Sequence, residues 1–202
     1  MSGWDVKTDT HAAGHDAKID LRRRVLAHVS PARVLDAFCG LGEMRREAWS
    51  AAASWTGCDQ RPWDPSQPAR YIADNLDVMR AIDLSRFNVF DFDAYGSPWA
   101  QASMLAKLRR WAPGERGAMV TSDGSGASTQ WGQTGATLGA VLGADRYEAM
   151  RGKRLGANRA AFAPWAALAG VRILERWEAA RPGRTGVLYT AIVFEGLPAH
   201  DR

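Results

Sequence analysis

The sequence predicts an α/β protein with a mostly parallel central sheet and helices on both faces. Short apolar runs alternate with helical segments, each unit takes about thirty residues, and Gly or Pro separates many of the runs. Ligands of such sheets bind beyond the carboxyl ends of the strands. The residues that follow each predicted strand are therefore where we look for chemistry.

The first half of the chain contains four predicted strands and three predicted helices. Each strand is a short run of mostly apolar or β-compatible residues, and the predicted strands span residues 33–39, 55–59, 71–73 and 87–92. The helices are predicted from apolar spacing and helical composition over residues 19–29, 43–53 and 76–82. Ser30-Pro31 ends the first helix, because proline disfavours helical backbone in the residue before it. Arg22, Arg23 and Arg24 give that helix a basic face.

The second half continues with a helix over residues 99–111, a strand over 118–121 and a strand over 186–195. A long helix is predicted before the last strand, because apolar residues recur every three or four positions at Phe162, Trp165, Ala169, Ile173 and Trp177. Pro182-Gly183 ends it.

Two segments lack a clear period. Residues 1–18 are predicted to form an irregular N-terminal arm, and residues 122–160 a Gly-rich and basic insertion that serves as a substrate loop. The basic residues of this insertion offer contacts to phosphate groups, although taken alone they are explained slightly better by a solvated helix face. The whole chain, residues 1–202, is predicted to be one domain.

Composition limits the class of protein. The chain has 202 residues, 46% of them hydrophobic, and a net charge of +4, which permits a polyanionic partner without requiring one. Its two cysteines, Cys39 and Cys58, form neither a disulfide framework nor a zinc site, and no metal site is predicted. The longest apolar run, residues 160–171, is too short to span a bilayer, so we expect a cytoplasmic protein without a membrane partner.

The first two strands end in a glycine turn and an acidic residue. Asp36 is followed by Gly40 and Gly42, where the missing Cβ atoms let a ligand approach the backbone. Asp59 ends the second strand, where a carboxylate can accept both hydroxyls of a ribose. Alone, each feature is also explained by a tight turn or a helix cap.

Strands three and four end in further polar residues. Asp74 and Asn75 could read the edge of an adenine or cap a helix. Asp91 and Asp93 are two residues apart and therefore point the same way, an arrangement that like charges resist unless cations or donors intervene. Tyr95 follows them and could stack on a planar base.

These four strand ends, together with VLDAFCGLG, resemble the class I methyltransferases, which use S-adenosylmethionine. The resemblance implies a Rossmann-like fold with a seven-stranded sheet. It also implies that Asp59 holds the ribose and that the glycine turn borders the methionine. The cofactor contacts carried over are Asp36, Phe38, Gly40, Gly42, Asp59, Gln60, Asp74, Asn75 and Asp91.

The residues at the end of the fourth strand indicate a more specific resemblance within the class I methyltransferases. FDFDAYGSPW and the later MVTSD look like segments of the tRNA guanine-N2 dimethyltransferases and, more distantly, of other enzymes that methylate amino groups of nucleic acids. The similarity covers roughly residues 30 to 125. Ala94 stands where that family has proline, which leaves the exact acceptor open. The chain is also shorter than those enzymes with their additional tRNA-binding domain, so the expected partner is a nucleic acid, with DNA or an RNA other than tRNA left open.

The resemblance implies methylation of an exocyclic base amine. Asp93 is the first choice for the carboxylate that accepts an N–H of this amine, and Asp91 is the second. Tyr95 is expected to stack on the base. The remaining predicted substrate contacts are Ser97, Pro98, Trp99, Asp123 and Trp131.

Three readings stay open. The first is the nucleic-acid N-methyltransferase described above, the second is a small-molecule methyltransferase, and the third is a cofactor-binding subunit without catalysis. A cytosine-C5 methyltransferase is argued against, because Ser97-Pro98-Trp99 lacks the cysteine nucleophile that such enzymes carry after strand four.

Overall fold

The computed structural model describes residues 12–62, 70–94, 96–124, 136–150, 153–180 and 187–198. The strands are β1 (Arg33–Asp36), β2 (Ser54–Asp59), β3 (Tyr71–Ile72), β4 (Val89–Asp93), β5 (Arg116–Asp123), β6 (Val171–Ala180) and β7 (Leu188–Gly196). The helices are α1 (Ala12–His28), α2 (Glu43–Glu47), α3 (Asn75–Ala81), α4 (Trp99–Leu108), α5 (Ala136–Leu142), α6 (Ala144–Ala149) and α7 (Arg154–Ala169). Two short 3₁₀ turns cover Trp49–Ala51 and Leu84–Arg86.

The seven described strands form one sheet in the order β3-β2-β1-β4-β5-β7-β6. β1 to β5 pair in parallel, and β7 runs antiparallel to both β5 and β6. The carboxyl ends of the five parallel strands consequently meet at one edge of the sheet. β7 brings its amino end, near Leu188 and Tyr189, to this same edge.

Helices cover both faces of the sheet. Apolar residues of α1, α2 and the first 3₁₀ turn form one buried cluster with one face of the strands. Residues of α3, α4, α5 and α7 form a second cluster with the opposite face, in which Trp99, Trp111 and Trp165 are almost completely buried. The predicted mostly parallel sheet with helices on both faces is thereby confirmed.

The predicted long helix over residues 162–177 is wrong in its second half. α7 ends at Ala169, Gly170 adopts a left-handed conformation with φ 66°, and the chain continues as strand β6. Ile173 and Trp177 therefore lie on an edge strand, where they are only partly buried. Trp165 is fully buried, as expected.

Two boundaries also differ from expectation. α1 begins at Ala12, so residues 12–18 of the predicted arm are helical. Part of the predicted loop over residues 122–160 is helical as well, because α5, α6 and the start of α7 lie within it, whereas residues 125–135 are outside the described residues. Within the ranges described above, no helix is long and apolar enough to cross a membrane.

Candidate active site at the carboxyl ends of the strands

The turn after β1 leaves its backbone open toward the edge of the sheet. Gly40 and Gly42 adopt φ values of 50° and 73°, a region that side chains with a Cβ atom rarely enter. A Cβ built on Gly40 meets no atom of the described residues within 4 Å. Gly42 itself is buried, and its N–H donates to the Cys39 carbonyl at 2.8 Å.

Asp36 lies beneath this turn. Its carboxyl is buried, and one oxygen accepts the N–H of Phe38 at 3.2 Å. Burial raises the pKa of Asp36 well above its usual range, and the nearby Asp91 carboxylate raises it further. Phe38 packs against the core. Asp36 would therefore not contact a ligand directly, but its hydrogen bond to the Phe38 N–H helps to position the backbone of the turn.

Asp59 ends β2 beside the turn. One of its carboxylate oxygens accepts the Gly40 N–H at 3.0 Å, and the other accepts the Arg61 N–H at 3.1 Å. The side chain is partly exposed. A partly exposed carboxylate at the end of a strand is a group that can accept hydrogen bonds from hydroxyl groups.

The residues after β3 have separate roles. Asp74 caps α3 by accepting the Leu76 N–H at 2.9 Å, and its other oxygen accepts from the Gln60 amide at 3.0 Å. Both Asp74 and Gln60 are exposed. Asn75 is buried instead: its amide donates to the Ala37 carbonyl and accepts from Gln101. The expectation that Asn75 reads an adenine edge is therefore wrong.

Asp91 is fully buried beneath the edge of the sheet. Arg22 from α1 donates two hydrogen bonds to its carboxylate, each 2.7 Å long, and the Trp49 indole donates a third at 2.8 Å. Both oxygens are thus engaged by buried donors. The expected contacts of Asp91 with substrate and cofactor are corrected, because its carboxylate faces the interior between β4 and α1.

Asp93, two residues further along β4, reaches the open side. The Ala94 N–H donates to the Phe92 carbonyl at 2.8 Å, so the chain turns sharply at Asp93. The Asp93 side chain is 16% exposed, and its two oxygens lie 3.1 Å from the Lys18 ammonium and 3.4 Å from the Arg22 guanidinium. Burial alone would raise its pKa, but Arg22 and Lys18 outweigh burial and lower it. Asp93 is consequently a carboxylate held in its ionised form.

The segment after Asp93 begins α4. Ser97 accepts the Trp99 N–H at 3.4 Å, and Pro98 is buried at the helix start. Trp99 is 1% exposed, packs edge-on against Phe162 and donates its indole N–H to Asn158. Stacking of Trp99 on a base is therefore excluded as long as this packing holds. Tyr95, the other stacking candidate, lies outside the described residues.

Ser122 and Asp123 end β5. Ser122 pairs in register with Asp93 and is 2% exposed. Asp123 is also buried, but it faces the opposite side of the sheet, because successive side chains of a strand alternate. The predicted substrate contact Trp131 lies outside the described residues.

Sequence reasoning missed the cations of this site. Lys18 and Arg22 are one helical turn apart on α1, and both reach the carboxylates of β4. Arg22 is completely buried and not part of a solvated basic face as expected. The local sequence signal for a buried Arg22 is its position on the same helix face as the apolar Leu21 and Val25. This signal does not identify Asp91, 69 residues away, as the partner of Arg22.

Several solved structures have a fold similar to that of this chain. A scan against protein-family models and a search of curated proteins find no match. The N-methyltransferase NodS from Bradyrhizobium japonicum superposes with a TM-score of 0.58 at 12% identity, covering 95% of this chain and all of that one. The 1,6-didemethyltoxoflavin-N1-methyltransferase from Burkholderia thailandensis, solved with S-adenosylhomocysteine, gives 0.52 at 16% identity, covering 94% and 83%.

An O-methyltransferase from Bacillus cereus, also solved with S-adenosylhomocysteine, gives a TM-score of 0.52 at 13% identity, covering 90% of this chain and 80% of that one. At such low identity the likeness concerns the fold alone. With its seven-stranded sheet and these neighbours, the chain has the Rossmann-like fold of class I methyltransferases.

Proposed function

We propose that the protein is an S-adenosylmethionine-dependent N-methyltransferase whose acceptor is an exocyclic amine of a nucleic-acid base. The observation that carries this proposal is Asp93. It is a partly exposed, ionised carboxylate at the end of the strand that lies beside the glycine turn of β1. A negative charge in this position can stabilise the positive charge that a nitrogen gains during methylation.

The residues at the edge of the sheet fit the cofactor. The glycine turn brings backbone to the edge of the sheet, Asp59 presents a partly exposed carboxylate for ribose hydroxyls, and Asp74 with Gln60 offers polar groups for an adenine. When bound, S-adenosylmethionine would supply a methyl group on a positively charged sulfur. The protein would hold the cofactor through these side chains and would place the acceptor next to its methyl group.

The role proposed for Asp93 is to accept a hydrogen bond from the amine that is methylated. The lone pair of an exocyclic amine is delocalised into the ring, which makes the amine a poor nucleophile. A carboxylate that accepts one of its N–H bonds concentrates the lone pair on nitrogen and stabilises the charge as it develops. Because the pKa of Asp93 is lowered, the residue acts as an electrostatic acceptor and a weak base.

The nucleic-acid part of the proposal rests on charge and on the resemblance of the β4 segment. The net charge is +4, and Arg146 and Lys153 are exposed in the helical region after β5. Arg159, in the same region, is instead paired with Glu178 at 2.6 Å. Phosphate contacts by such residues would make binding depend steeply on salt.

A small-molecule acceptor is the second candidate, favoured by a specific observation. The Trp99 ring, a predicted substrate contact, is buried and donates a hydrogen bond inside the protein, and the Arg22 guanidinium, expected on an exposed basic face, is buried and paired with Asp91. Among the proteins of similar fold, the toxoflavin enzyme was solved with the small molecule 1,6-didemethyltoxoflavin. Turnover that does not change with salt concentration would support this candidate.

The test incubates the protein with methyl-labelled S-adenosylmethionine and separate pools of DNA, tRNA and other RNA, followed by digestion to nucleosides. We expect a labelled N-methyl nucleoside from one pool. Asp93→Asn should lower labelling by about 100-fold or more while calorimetry finds unchanged cofactor affinity. Asp77→Asn, an exposed change on α3, is the matched control and should label normally.

Each contrary result has a distinct meaning. Label in no nucleic-acid pool, with cofactor binding intact, would refute the nucleic-acid acceptor and leave the small-molecule enzyme or the non-catalytic subunit. Full activity of Asp93→Asn would remove Asp93 from the reaction. Absence of cofactor binding would refute the proposal altogether.

A further inference from the structure

The ammonium group of Lys18 lies inside the candidate active site. Its Nζ atom is 3.1 Å from one Asp93 oxygen and 5.6 Å from the centre of the Tyr189 ring. The Lys18 side chain is only 14% exposed. A positively charged nitrogen thus already occupies the position beside the one carboxylate that the proposed reaction needs.

The surroundings of this nitrogen form a niche defined by Asp93, Ser122 and Tyr189. Ser122 faces Asp93 across the β4–β5 pairing, and Tyr189 is the partner of Ser122 on β7. The Ser122 hydroxyl is buried, and its interaction with the Asp93 carboxylate helps to lower the pKa of Asp93. A hydroxyl oxygen can also accept a hydrogen bond, so this niche offers a second acceptor beside the Asp93 carboxylate.

The two cations next to Asp93 are attached very differently. Arg22 is fixed by two 2.7 Å hydrogen bonds to Asp91 and by one of 2.9 Å to the Lys18 carbonyl. The Lys18 ammonium is held by one ion pair and an aromatic ring, at the end of a flexible side chain. An incoming acceptor can therefore displace Lys18 from Asp93 but cannot displace Arg22.

We propose that Lys18 occupies the acceptor-nitrogen position of the free protein, and that it selects acceptors whose nitrogen can replace it beside Asp93. This inference rests on the proposed function, since it takes Asp93 as the acceptor's partner. An amine with N–H groups satisfies the condition, because it can donate to Asp93 and to the Ser122 hydroxyl. A hydroxyl acceptor, with a single O–H, leaves one of these oxygens without a donor and is selected against.

The charge in the niche changes during the reaction and is restored by methyl transfer. The acceptor nitrogen is neutral when it replaces Lys18, so Arg22 is then the cation that remains beside Asp91 and Asp93. Its lone pair forms the new N–C bond as the S–C bond breaks, and the S–C electron pair stays on sulfur. The nitrogen then carries the positive charge beside Asp93 until it loses one proton to solvent. Return of the Lys18 ammonium to Asp93 would favour release of the neutral product.

A binding measurement without cofactor tests the inference. Methylammonium is the probe, and its binding is followed through the carboxyl ¹³C signal of Asp93. Lys18→Met removes the competing charge and should tighten probe binding about fivefold, the upper range for a partly exposed ion pair. Lys18→Arg keeps the cation, and Lys107→Met changes an exposed lysine on α4; both should bind like the wild type.

Turnover provides a second readout. With an accepted amine substrate, Lys18→Met should lower KM about fivefold, because the amine no longer has to displace an ammonium group from Asp93. Equal probe affinity in Lys18→Met and Lys107→Met, each folded by circular dichroism, would overturn the inference. Since the probe experiment needs neither cofactor nor turnover, its outcome is independent of the outcome of the labelling experiment.

Discussion

Replacing Arg22 by methionine removes the cation that compensates two carboxylates inside the protein. Arg22 is buried, donates two hydrogen bonds to Asp91 and lies 3.4 Å from Asp93. Methionine has a similar length and can fill most of the volume. The change therefore leaves a charge without its partner and creates little cavity.

The expected loss follows from this environment. Removing one partner of a buried ion pair costs about 3–5 kcal/mol, because the other charge stays buried without compensation. This is a large share of the roughly 5–15 kcal/mol that stabilises a typical domain. A second change, Asp91→Leu, removes the orphaned carboxylate but leaves the Trp49 indole without an acceptor, at a cost of about 1–3 kcal/mol. We expect the double variant to be about 2 kcal/mol more stable than Arg22→Met alone.

Urea unfolding followed by circular dichroism measures these differences. With a slope of about 2 kcal/mol per molar urea, the midpoint of Arg22→Met should fall by about 2 M. Arg24→Met is the matched control, since Arg24 is half exposed and pairs with the exposed Asp20, and it should change stability by less than about 0.5 kcal/mol. The reasoning fails if Arg22→Met is as stable as this control, or if adding Asp91→Leu lowers stability further.

Three further predictions concern individual side chains. Asp59→Asn should weaken binding of S-adenosylmethionine about 10- to 100-fold by calorimetry, since it removes charge-assisted hydrogen bonds; unchanged affinity would remove Asp59 from the cofactor site. Burial raises the pKa of the Cys58 thiol to about 12 and raises that of Cys39 as well, so neither should react with a thiol reagent at pH 8 until the protein unfolds. Rapid labelling of the native protein would contradict this burial. Burial raises the pKa of Asp36 in the folded protein above its value of about 4 in the unfolded chain. The protonated carboxyl therefore contributes to stability at low pH, and this contribution is lost as the pH rises from about 4 toward the pKa of the folded protein. Asp36→Asn should therefore gain stability relative to the wild type as pH increases above about 4 in urea titrations, and a constant difference would show that Asp36 does not titrate in this way.

The strands were predictable because their signals are local. β1, β2 and β4 are short apolar runs, and in each of them the acidic residue stands at or near the carboxyl end where the sequence suggests it. The parallel order then brings Asp36, Asp59 and Asp93 to one edge without any need to know their contacts. The fold class and the region of the site therefore follow from residue patterns alone.

β6 was misassigned because two periodic patterns overlap. Ile173 and Trp177 extend the helical spacing of Phe162 and Trp165, although they belong to a strand. Gly170, which adopts φ 66° at the end of α7, is the residue that interrupts the pattern, and it was the available signal for a helix end.

The roles of the site residues depend on distant partners. Asp91 and Asp93 look equivalent in the sequence, yet one is locked by Arg22 and Trp49 while the other meets Lys18 near the surface. Such pairings join α1 to β4 across about seventy residues. No spacing rule within either segment predicts which of the two carboxylates is buried in an ion pair and which is partly exposed at the edge of the sheet.

The antiparallel direction of β7 has a consequence for how this architecture can diversify. Ala180 at the end of β6 and Leu188 at the start of β7 are paired in register, so both lie at the edge of the sheet where the parallel strands β1 to β5 end. Side chains of β6 and β7 near this edge belong to a different part of the sheet from the glycine turn of β1 and the acidic end of β2. Substitutions there would alter the surroundings of the proposed acceptor position and leave β1 and β2 unchanged.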